Sequence, residues 1–122
     1  MSSLTISSFL SGSRDEASKV ISYNPFYNPS LDREGALFHV ITNRLPVLRN
    51  SSYTGLYAIT YICYRRYSII HTLLRQNADL SVDVLREPDV VIEHFNDIYE
   101  LLDVVLRRDV LPRRGDTCDP VN

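Results

Sequence analysis

The chain has 122 residues, 44% of them hydrophobic and 23% charged, with a formal net charge of −2. That describes one domain with a single modest core and excludes a wholly disordered chain. Thirteen basic residues against fifteen acidic ones give no overall electrostatic argument for nucleic acid.

Leu4, Ile6, Phe9 and Leu10 lie scattered among serines near the start. No basic n-region or continuous apolar stretch marks a secretory leader, so residues 1–20 read as a flexible polar segment. Asn24-Pro25 and Asn28-Pro29 are turn starters. Ser30 is placed to cap a helix from Leu31, with Leu37, Val40, Ile41 and Leu45 on one face and Pro46 as its stop. Residues 50–53 form a polar break. The segment Leu56–Tyr64 fits a strand by its β-branched and aromatic content and a buried helix by its apolar spacing, and periodicity leaves both open. Ile69, Ile70, Leu73 and Leu74 then read as helix, with Asn77 suited to a left-handed C-cap. From Pro88 to Arg108, Val91, Phe95, Ile98, Leu102 and Val105 recur at alternating spacings of four and three, which predicts a long amphipathic helix. Asp89, Glu93, Asp97, Glu100 and Asp103 line its other face and read as a solvated surface. Residues 113–122 read as a flexible tail.

The longest near-apolar run, Gly55 to Tyr64, is far below the ~20 residues that cross a bilayer, so no membrane span is expected. Two distant cysteines, Cys63 and Cys118, make no disulfide framework, and a cytoplasmic or nuclear location is expected. Charge is uneven: residues 1–78 carry a net +4 and residues 79–122 a net −6, so the halves can attract one another.

The apolar pairs of Ile69–Leu74 coincide with those of Ala36–Ile41 after a shift of 33 residues and with those of Leu101–Leu106 after a shift of 32. That period predicts stacked helical hairpins, each covering its neighbour's apolar face. The middle unit, about residues 50–81, resembles the ankyrin repeat: Thr54-Gly55-Leu56-Tyr57 stands at the opening and Asn77-Ala78-Asp79-Leu80 at the close. Gly55 and Tyr57 depart from the family's proline and histidine, and Tyr64-Arg65-Arg66-Tyr67 makes the connection longer. The resemblance implies an all-α fold, ankyrin-like, of about three imperfect helical hairpins over residues 21–112. It also implies a protein–protein interaction module that binds or masks a partner.

On a helix, Tyr53, Tyr57, Tyr61, Tyr64 and Tyr67 form one stripe with Arg65 and Arg66 alongside. Tyrosine and arginine are enriched in interface hot spots, so Tyr57, Tyr61, Tyr64, Arg65 and Arg66 are the candidate partner-binding residues. The rival reading packs the rings between units. Arginine pairs at 65–66, 107–108 and 113–114 do not combine into a basic stripe with stacking aromatics, and nucleic acid is not the expected partner. His39, His71 and His94 lack metal-ligand spacing, Cys63 reads as a small hydrophobe, and no serine elbow or phosphate loop occurs. Hence no enzyme, catalytic residue, metal or cofactor is expected, and the chain is a monomer or homodimer. The alternative is a virus-encoded or host-directed accessory protein with an irregular helical fold, dimerising through the Pro88–Arg108 face. Asn50-Ser51-Ser52 and Arg114-Gly115-Asp116 match export-dependent motifs and are set aside for want of a leader.

Overall fold

The computed structural model describes residues 16–66 and 68–107. Two short 3-10 helices, Ala17–Lys19 and Ile21–Tyr23, lead into helix α1 (Arg33–Asn43). Five strands follow: β1 (Val47–Asn50), β2 (Tyr57–Cys63), β3 (Ser68–Gln76), β4 (Val82–Glu87) and β5 (Val90–Phe95). Helix α2 (Ile98–Leu106) closes the described chain. The strands form one antiparallel sheet in sequence order, β1-β2-β3-β4-β5.

The expected all-α fold, ankyrin-like and built of stacked helical hairpins, is therefore corrected to a sheet with two helices. The unit at residues 50–81 is the β2–β3 hairpin and its flanks, paired from Tyr57↔Leu74 to Cys63↔Ser68. The helix-like pattern of these strands has a physical cause. A spacing of four is even, so it keeps residues on one face of a strand as well as near one face of a helix. Along β3, Ser68, Ile70, Thr72 and Leu74 are buried, whereas Ile69, His71 and Leu73 on the other face are half-buried. Covering both faces turns simple alternation into adjacent apolar pairs, which mimic a helix. The branched side chains of Ile59, Thr60, Ile62, Ile69, Ile70 and Thr72 favour the extended form.

The long helix expected from Pro88 to Arg108 is likewise corrected, and with it the continuous dimer seam. Pro88 and Asp89 form the tip of the β4–β5 hairpin, Val91 and Phe95 belong to β5, and only Ile98–Leu106 is helical. The first helix is close to expectation in extent, but its N-cap is Asp32, whose carboxylate accepts the Gly35 N–H at 2.8 Å, and of the expected face only Val40 is buried, with Ile41 exposed and Leu45 beyond the helix. The expected tails at 1–20 and 113–122 lie outside the described residues, apart from residues 16–20. So do Tyr67, Cys118, the second arginine of the 107–108 pair and the whole 113–114 pair.

Sheet and helices make two apolar layers of unequal size. On one face, Ile59, Tyr61, Ile70, Leu74, Val82 and Val84 meet α2 through Ile98, Tyr99, Leu101, Leu102 and Val105, with Ile21, Phe26 and Leu48 completing the cluster. Each large aliphatic side chain sealed there stabilises the fold by about 1.5–3 kcal/mol over its exposed state. The residues before α1 are tied to this layer. Tyr99 donates its hydroxyl to Ser18 Oγ at 2.8 Å, and the Gln76 side chain accepts the Ile21 N–H at 2.8 Å while donating to the Lys19 carbonyl at 2.7 Å. Backbone bonds of 2.8 Å from Asn28 N–H to the Leu48 carbonyl and from Leu48 N–H to the Phe26 carbonyl cover the outer edge of β1. On the opposite face, α1 buries only Ala36 and Val40, against Val47, Ile62 and Ile69. The rest of that face is left beside the N-terminus of α1. Among the described residues no helix is long and apolar enough to cross a membrane.

Candidate functional site

Where α1 stops covering the sheet, a groove of about 640 Å3 opens. Ala58, Leu73 and Leu85 contribute to its floor from β2, β3 and β4. Leu31–Glu34 at the start of α1, Asn50 at the end of β1 with Ser51–Tyr53 after it, and Arg86 with Glu87 at the end of β4 also line it. The register aligns Arg49 with Ala58, Ala58 with Leu73, and Leu73 with Leu85, so one row of side chains crosses four strands on this face.

Arg49 is the unusual member of that row. It lines the groove yet is only 6% exposed. Its Nε donates to Thr60 Oγ1 at 3.1 Å and its Nη1 to the Asn50 carbonyl at 3.3 Å, while Nη2 lies 3.2 Å from His71 Nδ1. Thr60 Oγ1 is also 2.8 Å from His71 Nδ1. The consistent assignment has the Thr60 hydroxyl accepting from Arg49 and donating to an unprotonated Nδ1 of His71. A guanidinium has five N–H groups: two have an acceptor of their own, one on Nη2 can only share the Nδ1 lone pair with the Thr60 hydroxyl, and two are left without an acceptor among the described residues. No carboxylate forms an ion pair with Arg49 among the described residues. Burial and the neighbouring Arg33 lower its pKa, with the nearby Asp32 opposing them. A guanidinium nevertheless stays protonated. A buried cation held by neutral partners is costly unless an anion joins it.

A second polar cluster lies on the same face, at Arg75, Asp83 and His94, which the register also aligns across β3, β4 and β5. Buried Asp83 accepts from Arg75 Nη2 at 2.7 Å and from Asn77 Nδ2 at 3.0 Å through Oδ2, and pairs with His94 Nδ1 at 2.7 Å through Oδ1. Burial opposes ionisation of Asp83, but the hydrogen bonds from His94, Asn77 and Arg75, with the Arg75 charge, outweigh it and hold the carboxyl below its ordinary value. Asp79 is also lowered, by hydrogen bonds from the Ser81 hydroxyl and backbone.

Among the described residues neither cluster sets an accessible nucleophile beside a base. Thr60 and His71 have a hydroxyl–imidazole contact, but Thr60 is fully buried and its oxygen is occupied by Arg49. His94 is oriented by Asp83, but no nucleophilic side chain is bonded to it among the described residues. Among the described residues no group of three or more His, Cys, Asp and Glu side chains could hold a metal.

The tyrosine stripe is dispersed by the strand. Tyr61 is 1% exposed in the core, and half-buried Tyr57 packs edge-on to Tyr27 with ring centroids 6.0 Å apart. Tyr64 is half-buried in the β2–β3 turn, where Arg65 and Arg66 are exposed. Tyr53 reaches the groove rim instead. Arg49 and Asp83 are not among the residues that the sequence singles out. Each is a charged residue set among apolar strand-formers, in Val47-Leu48-Arg49 and Val82-Asp83-Val84, and that was the available signal. Comparison of the chain with protein-family models returned no match, and comparison with curated proteins returned none either.

Proposed function

We propose that the protein is a non-catalytic binding module that receives an anionic group of its partner in the groove, on Arg49. The carrying observation is the buried guanidinium with two N–H groups uncommitted among the described residues, lining an accessible groove. Pockets of this size with a few convergent polar groups are the usual form of ligand sites. A planar guanidinium fork matches the two oxygens of a carboxylate or phosphate. The rim adds Arg33 and Arg86, balanced by Asp32, Glu34 and Glu87, so selectivity for charge rests on Arg49.

Titration of the isotope-labelled chain with acetate and with inorganic phosphate, followed by amide resonances, tests this reading. The expected result is a saturable change confined to Asn50, Thr60, His71 and their neighbours, and lost in Arg49→Gln. Changes spread over every exposed arginine, or unaltered in that variant, would overturn it.

A second reading keeps a protein partner at the β2–β3 turn, supported by the exposure of Arg65 and Arg66 there. Arg65→Ala with Arg66→Ala would then lower affinity for that partner without changing the amide spectrum of the groove.

A further inference from the structure

We infer that the ligand of the groove is a small amphiphilic monocarboxylate: a carboxylate on Arg49 joined to an apolar chain or ring lying against Leu73 and Tyr53. This inference rests on the anion-binding reading above and narrows it.

The charge balance favours a single negative charge. One buried cation waits at the base, and on the rim Arg33 and Arg86 are offset by Asp32, Glu34 and Glu87, so the rim supplies no net positive charge for a second anionic group on the ligand. Asp32 already spends one oxygen on the Gly35 N–H, which fixes its carboxylate at the mouth. Two N–H groups on one planar cation suit two coplanar oxygens, the geometry of a carboxylate. A phosphate dianion would find fewer donors than its oxygens require.

The remaining surface favours an apolar body. Leu73 is half-buried on the floor between Ala58 and Leu85. Tyr53 is 42% exposed at the rim, where an aromatic face has no burial of its own to justify it. Covering both would remove apolar surface from water while the head group pairs with Arg49. A cavity of about 640 Å3 falls within the range of small-molecule sites.

Calorimetric titration of the full chain with 4-phenylbutyrate, 4-phenylbutanol and inorganic phosphate distinguishes the outcomes. Phenylbutyrate is expected to bind more tightly than either by about tenfold or more. Arg49→Gln should abolish that preference over the alcohol. Tyr53→Ser, at an exposed position, should weaken phenylbutyrate several-fold and leave phosphate unchanged, and it keeps the test decisive if Arg49→Gln folds poorly. Phosphate binding as tightly as phenylbutyrate would overturn the amphiphile and leave the anion reading standing. Equal binding of the alcohol and the acid would overturn both, as would no binding of either anion. Phenylbutyrate affinity unaltered in Tyr53→Ser would remove the rim from the proposal.

Discussion

Single residues separate a strand from a helix most sharply at Leu73 and Leu74. Leu74 is fully buried among the core side chains facing α2, whereas Leu73 is half-buried on the groove floor. Leu74→Ala is expected to cost about 2–5 kcal/mol, and Leu73→Ala clearly less. Urea unfolding of both variants checks this, and equal losses would contradict the alternation. Asp83 carries the other residue-scale prediction. Its carboxyl is held below its ordinary value when folded. Its contribution to stability is therefore present above the unfolded value, near pH 4, and is lost as pH falls through the lower folded value. Acid titration of unfolding should show a destabilising slope below about pH 4 that is smaller in Asp83→Asn.

At the scale of elements, the helices begin on acceptors that the sequence supplies. Asp97 Oδ1 accepts the Glu100 N–H at 3.0 Å, and Glu100 Oε1 reaches back to the Asn96 N–H at 2.8 Å, a capping-box variant. Asp97→Ala should cost about 1 kcal/mol in the same unfolding assay. Helix α1 ends on Arg44, whose φ of 65° is left-handed. Relief of that strain in Arg44→Gly competes with glycine's larger entropy loss, so a gain below about 1 kcal/mol is expected. How legible these elements were follows from their burial. The helix near residues 33–43 is legible in its extent but not in its face: Ala36 and Val40 are the buried pair, whereas Ile41 of the expected face is exposed and Leu45 lies beyond the helix end. The final helix was readable in its last part, where Ile98, Leu102 and Val105 face one core. Strands β2 and β3 were not, because α1 and α2 cover opposite faces of them and erase the polar alternation. The 4-3-4-3 run beyond Pro88 joined β5 to α2 because Val91 and Phe95 happen to continue the spacing. Arg49 escaped notice because its role depends on Thr60 and His71, 11 and 22 residues away, brought beside it by strand pairing.

Across the whole molecule, the unequal charge of the two halves is partly met by contact. Arg75 of the basic half bonds Asp83 of the acidic half at 2.7 Å, and Lys19 lies 3.7 Å from Asp97. The Lys19 pair is partly solvated, so Lys19→Ala should cost no more than about 1 kcal/mol, and less in high salt. The larger consequence is the asymmetry between layers. Helix α2 and the segment before α1 seal one face of the sheet, while short α1 leaves the other face open beside its N-terminus. The open part holds Arg49, the buried cation without an anionic partner among the described residues.

The side-chain Nε–H resonance of Arg49 reports on that cation most directly. It should exchange with water far more slowly than those of Arg65 and Arg66, and should move on saturation with 4-phenylbutyrate but not with matched chloride. Exchange as fast as the turn arginines, or a resonance indifferent to the acid, would contradict a buried guanidinium poised for an anion.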